Sequence, residues 1–443
     1  MASDPFSRLH SDPGDQARGG VNAPMRSPAP ETSAGRRPYQ NLKPWEIHPH
    51  DPYALVRDGH HFLPLGVYAR AILQRRDADV GRLLLSMAAH RANCMAWDLL
   101  PEVAETRAAA EPPSPAPLLP WPVDRVSGPD FTRFASTYFA RLEVLLHAVS
   151  ESDLAILLRA PSPRQADALN IPRDAWRKFL IEVADCVKEY SQVAFAIDID
   201  GYDATASVLA SHLPEFCGAA YIAVRGPAKD TPLLARTTTL SPRPRLLWIH
   251  NDSLLTPQFG APEWPGPILC SYSRPSDVGS IVPRPGIPSE DPGHSPAALA
   301  VAFGGLMQGT GLLWAYNTVG IFQSPLRDLA PVQSIARLLD TLNIEWTGLS
   351  AARHLFAAPI VDQPLAAMAR SGQILAYYPH LHAAGIRMWL KPVAHQVTWY
   401  KPLEAAPVYT TSGIVGLPGA PASIPAPQAL VGQAALLALV PEN

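Results

Sequence analysis

From Asp51 onward, short apolar runs alternate with segments whose apolar residues recur at helical spacing, the pattern of strand–helix units around a parallel sheet. Eight runs read as strands: His61 to Tyr68, Ala92 to Trp97, Leu154 to Leu158, Val193 to Asp200, Tyr221 to Val224, Leu246 to His250, Ile268 to Tyr272 and Gly311 to Tyr316. Between them, Trp176, Phe179, Leu180, Val183, Val187 and Tyr190 form one apolar helical stripe, and Phe134, Tyr138, Leu142 and Leu145 another. Both stripes read as core. After about residue 350 the helical period gives way to alternating stretches, at 374–378 and 396–400, which predict a terminal β-sandwich. The expected fold is α/β: a (β/α)8 TIM-type barrel over 45–348, a small C-terminal β-sandwich over 349–443, and a disordered or extended N-terminal arm over 1–44. The arm is rich in Pro, Gly, Ser, Asp and Arg and has too few large apolar residues to offset its ordering entropy.

Composition narrows the function classes. A chain of 443 residues with 47% hydrophobic and 17% charged residues buries a large core. Its 36 basic and 39 acidic residues are unclustered and leave a formal charge of −3, which gives no footprint for nucleic acid. No apolar stretch is long enough to span a membrane, and the first residues lack the apolar core of a secretory signal. The expectation is synthesis in the cytoplasm, with the final location unknown. Cys94, Cys186, Cys217 and Cys270 are too dispersed for a zinc site and read as buried thiols. His48, His50, His60 and His61 show no helix-borne ligand spacing, so neither metal nor cofactor is expected. Prolines cluster in loops, notably 111–115 and 282–288.

Several motifs, in order along 50–440, carry a resemblance. Arg57 to Gly66 matches an opening strand motif, His90 to Asn93 a helix-to-strand entry, and Gly304 to Gly311 a glycine-rich approach to the eighth strand. Trp399-Tyr400-Lys401-Pro402 matches a turn, and Ala435 to Leu439 a closing strand. Together these resemble the apiosidase-like glycoside hydrolases, whose barrel is followed by a sandwich described as collagen-binding. The resemblance implies glycosidase chemistry, which needs two carboxyl groups flanking the sugar bond.

On that resemblance Asp200 falls on the family's strand-borne aspartate and is the candidate catalytic acid/base, a helix N-cap or loop carboxylate being the alternative, while Asp198 and Ile199 replace two glycines. Tyr272, or Ser273 if the register shifts by one, stands where the family has its strand-seven glutamate, and Val67 replaces an aspartate of the opening strand. Candidate sugar-binding residues at or beside strand ends are Trp97, Asp98, Arg225, His250, Asn251, Asp252, Tyr272 and Trp314. A structural loop cap accounts equally for 250–252, and core packing for the tryptophans. Two readings stand. One is a catalytically degenerate glycosidase-like protein kept for glycan binding, or for assembly through protein partners of the arm and C-terminal domain. The other is an active glycosidase of plant or bacterial polysaccharide side chains, using Asp200 with a loop carboxylate such as Glu263 or Glu290.

Overall fold

The computed structural model describes residues 45–75, 79–101, 118–124, 128–190, 192–213, 220–225, 246–251, 268–272, 303, 311–316, 329–342, 349–357, 364–369 and 371–442. Eight parallel strands close into a barrel in chain order: β1 (Leu65–Ala69), β2 (Cys94–Asp98), β3 (Ala155–Ala160), β4 (Val193–Asp198), β5 (Ala220–Arg225), β6 (Leu246–Asn251), β7 (Ile268–Tyr272) and β8 (Gly311–Tyr316). Each apolar run expected to be a strand contributes one. The described helices are α1 (Val80–Ala89), α2 (Ser136–Glu151), α3 (Pro163–Ala168), α4 (Arg173–Val187), α5 (Tyr202–His212) and α6 (Ala330–Leu342). Their starts follow local chemistry. The Asp79 carboxylate accepts from the Arg82 amide at 2.9 Å to cap α1, and Ser162 caps α3 ahead of a first-turn proline.

Strand residues sort by alternation. Met95, Trp97, Ile156, Leu158, Phe195 and Ile197 pack outward with helix residues Leu142, Phe179, Leu180 and Val183. Cys94, Ala96, Ala155, Leu157, Ala194 and Ala196 fill the interior with Tyr68, Leu246, Trp248 and Leu269. Four alanines on one side leave room for two large rings on the other. Tyr68 and Trp248 meet edge to face with centroids 4.7 Å apart. Gly66 is dictated by strand approach, since a Cβ there would sit 1.7 Å from the Cys94 carbonyl oxygen.

A small antiparallel sheet (Glu46–His48, Asp51–Arg57, His60–His61) precedes the barrel. Asp58 and Gly59, at φ 53° and 78°, make its two-residue turn. Trp45, Leu55 and Phe62 join the interior cluster, so this sheet closes the end of the barrel from which β1 departs. Arg57 anchors it by donating to the Asp153 carboxylate at 2.6 Å. The stretch 57–66 is therefore a hairpin arm leading to a short strand, rather than one opening strand.

The C-terminal part is antiparallel. Strands β9 (Ser350–Ala351), β10 (Leu365–Met368), β11 (Ile374–Tyr378), β12 (Gly385–Met388), β13 (Ala394–Lys401), β14 (Ala406–Val415), β15 (Ala422–Pro425) and β16 (Ala435–Pro441) form two sheets, ordered β9-β10-β11-β16-β13-β14 and β12-β15. Ile374, Ala376, Tyr378, Val397, Trp399, Leu437 and Leu439 on one face of the larger sheet bury against Met388 and Ile424 of the smaller. The opposite face, with Leu375, Tyr377, Leu436 and Ala438, belongs to the barrel's outer core. Phe303 stacks on Tyr377 at 5.1 Å, and Ser334 of α6 donates to the Pro402 carbonyl. Among the described residues no helix is long and apolar enough to cross a membrane.

Candidate active site

The last inward positions of β2, β3 and β4 are Asp98, Arg159 and Asp198, each two residues beyond an interior side chain (Ala96, Leu157, Ala196). A strand period of two thus brings an acid, a base and an acid together at the C-terminal mouth, where barrels of this type carry their sites. Arg159 donates to both Asp198 oxygens, at 3.1 and 2.7 Å, and to Asp98 Oδ2 at 3.2 Å. The Tyr68 hydroxyl donates to the other Asp98 oxygen at 2.5 Å. Gln74 Nε2 donates to the Asp98 and Leu99 carbonyls, at 3.0 and 3.2 Å, holding the end of β2 in place. The Arg70 guanidinium lies 5.3 Å from the Tyr68 ring centroid, within cation–π range.

The depth of these groups decides their chemistry. The Arg159 and Asp98 side chains are 4% and 2% exposed, whereas Asp198 keeps 19% and is the most open member of the trio. Burial opposes the charge on Arg159. The facing carboxylates of Asp198 and Asp98, with the Tyr68 oxygen, outweigh it and hold the guanidinium well above its ordinary range. Asp98, Arg159 and Asp198 are the only charged residues on strands β1 to β4, and β5 to β8 carry no acid at all. Both strand-borne carboxylates of the barrel therefore share one guanidinium.

The expected residues fall in three groups. Asp98 belongs to the buried trio. Arg225, His250, Asn251, Tyr272 and Trp314 lie on successive strands, with Arg225 in register with His250, Asn251 with Tyr272, and Tyr272 with Trp314. Asp252, Glu263, Glu290 and the proline-rich loop at 282–288 lie outside the described residues, as does the arm at 1–44. Two expectations need correction. Trp97 is fully buried in the layer between strands and helices, because its position alternates with inward Ala96 and Asp98, so its ring is core. Asp200 does not end a strand: β4 stops at Asp198 and a 3-10 turn (Ile199–Gly201) carries Asp200 aside. There it is 45% exposed and pairs with Arg164 at 3.1 Å. Trp248 is also buried, inside the barrel.

Arg159 and Tyr68 went unread in the sequence. The signal for Arg159 was present, since a base inside the apolar run Ala155–Ala160 needs buried acids to face it. His48 and His61 stack at 5.0 Å on the small sheet, and among the described residues no group of three His, Cys, Asp or Glu is placed to hold a metal ion.

No family model and no curated protein matches the chain. Solved structures do. A glycoside hydrolase is 10% identical with a TM-score of 0.62, covering 90% of this chain and 97% of that one. A glycoside hydrolase family 5 protein from Bacteroides vulgatus ATCC 8482 is 10% identical with a TM-score of 0.58, covering 90% and 93%. A family 27 β-L-arabinopyranosidase from Geobacillus stearothermophilus, in complex with arabinose, is 9% identical with a TM-score of 0.51, covering 86% and 97%. The class of fold is thereby defined as the glycoside-hydrolase-like TIM barrel. At this identity the likeness establishes fold alone.

Proposed function

We propose that this chain is a catalytically degenerate glycoside-hydrolase-like protein, of the apiosidase-like kind, whose barrel mouth binds a saccharide without cleaving it. One observation carries the reading: the two strand-borne carboxylates are both committed to Arg159. Hydrolysis needs one carboxyl held protonated as general acid and a second placed across the scissile bond. An arginine bridging Asp98 and Asp198 occupies both carboxyls with hydrogen bonds and ties them to one side of the mouth. Carboxyl oxygens accept hydrogen bonds from sugar hydroxyls, a binding role that Asp198 has the exposure to fill. The fold shared with glycoside hydrolases supports a glycan as the ligand class. The replacement of the family's strand-seven glutamate by Tyr272 fits the same reading.

The test pairs two assays on the full chain. Against a panel of aryl pentosides and hexosides, no release above blank is expected. Thermal shift with the free sugars is expected to raise the melting temperature for at least one, and Asp198→Ala to abolish that shift. Turnover that Asp198→Asn removes would establish a hydrolase instead.

A further inference from the structure

We infer a second ligand site on the outer face of the β12–β15 sheet, remote in sequence from the barrel mouth, that takes an acidic polysaccharide of the polyuronate class. Arg387, Trp389 and Lys391 alternate outward along one segment, and all three are exposed. Trp389, 40% exposed, is among the few large apolar side chains left open in the described residues. Neither Arg387 nor Lys391 makes an ion pair with a described residue. Beside them on the same face lie the small exposed residues Ser423, in register with Arg387, and Pro425, in register with Gly385. Buried Met388, Ala422 and Ile424 fix the sheet from behind. The chain returns to brace the segment at Gly416, where a Cβ would lie 2.3 Å from the Leu390 and Lys391 carbonyl oxygens.

Charge selects the ligand. The whole chain is at −3, yet from Pro379 to Pro425 the single acid is Glu404, which Lys401 holds at 3.1 Å. Within that segment Arg387, Lys391 and Lys401 outnumber the one acid, and Glu442 from outside it reaches the Gly413 amide. Along an extended backbone, alternate residues stand about 6.6 Å apart. A flat indole between two cations at that spacing suits a sugar ring stacked on its apolar face, with carboxylates on neighbouring rings reaching either cation. Two cations are too few to track a nucleic-acid backbone, which calls for a longer basic stripe.

Retention of the full chain in affinity electrophoresis tests this, using polygalacturonate, dextran and oligothymidylate as probes. Polygalacturonate is expected to retard the protein in a salt-sensitive way while dextran does not. Trp389→Ala and the double variant Arg387→Gln/Lys391→Gln should each weaken the retardation about tenfold, and Trp389→Phe should restore part of it. Asp198→Ala at the barrel mouth should leave it unchanged, which separates this site from the first. Absence of retardation, equal retardation of the variants, or stronger retardation by oligothymidylate would each overturn the inference.

Discussion

Replacing Arg159 with methionine keeps most of the side-chain volume and deletes the one cation between two carboxylates. Asp98, at 2% exposure, would be left beside Asp198 with the Tyr68 hydroxyl still donating to one of its oxygens and no cation at the other. Removing one partner of a buried ion pair costs about 3–5 kcal/mol. Here two anions lose one cation, but Asp198 retains 19% exposure and can be hydrated, so about 4 kcal/mol is a reasonable centre. At about 2.1 cal/mol/K per residue, a 443-residue chain that unfolds as one unit has an unfolding entropy near 0.9 kcal/mol/K. The expected fall in melting temperature is then about 4–5 °C, read by calorimetry with urea unfolding as a second measure. The triple variant Asp98→Asn/Arg159→Met/Asp198→Asn removes all three charges and should recover at least half of the loss. A single variant that melts within 1 °C of the parent, or a triple variant no better than the single, would refute the view that the trio is one charge-compensated unit.

Other outcomes follow from the same geometry. Gly66→Ala places a methyl 1.7 Å from the Cys94 carbonyl oxygen, so it should force β1 and β2 apart and lower soluble yield sharply; normal expression with an unchanged melting temperature would contradict the described strand approach. Asp200→Asn discharges an exposed pair with Arg164 and should change stability by less than about 1 kcal/mol; a larger loss would show that Asp200 serves the fold beyond that surface pair. Burial pushes the Cys94 thiol far up and that of Cys186 up to about 12, so neither should be alkylated in the native protein at pH 8, as read by site-resolved mass spectrometry. Those raised thiols, with Tyr138, Tyr377 and Tyr378 also raised by burial, keep protons in the folded state that the unfolded chain releases. Stability should therefore be full below about pH 9 and fall as pH rises beyond it; a flat alkaline limb in urea unfolding would contradict this.

The barrel was legible because strands covered on both faces must be apolar almost throughout, and runs as short and apolar as Ala155–Ala160 and Val193–Asp198 suit little besides a buried parallel strand. Less legible was where each strand stops. Whether Asp198 or Asp200 ends β4 depends on a 3-10 turn of three residues, and being wrong by two positions exchanged a half-buried site carboxylate for a surface one. Alternation would have helped: Ala194 and Ala196 are small enough to face a crowded barrel interior, which puts Asp198 on the same side. The same count places Trp97 outward, against the reading of it as a sugar platform. The sheet closing the barrel was hidden in the stretch 46–61, although Asp58-Gly59 is a strong two-residue hairpin signal. Its function in the fold depends on Trp45 and Leu55 reaching an interior built from strands far along the chain, and no local pattern encodes that.

The most direct measurement is a crystal structure of the chain soaked with a mixture of pentose- and hexose-containing oligosaccharides. An intact oligosaccharide at the mouth, its hydroxyls donating to Asp198 while Arg159 still bridges Asp198 to Asp98, is the expected result. A cleaved product at that position, or a second carboxylate closing across the sugar from the opposite side of the barrel, would contradict a binding protein and restore the hydrolase.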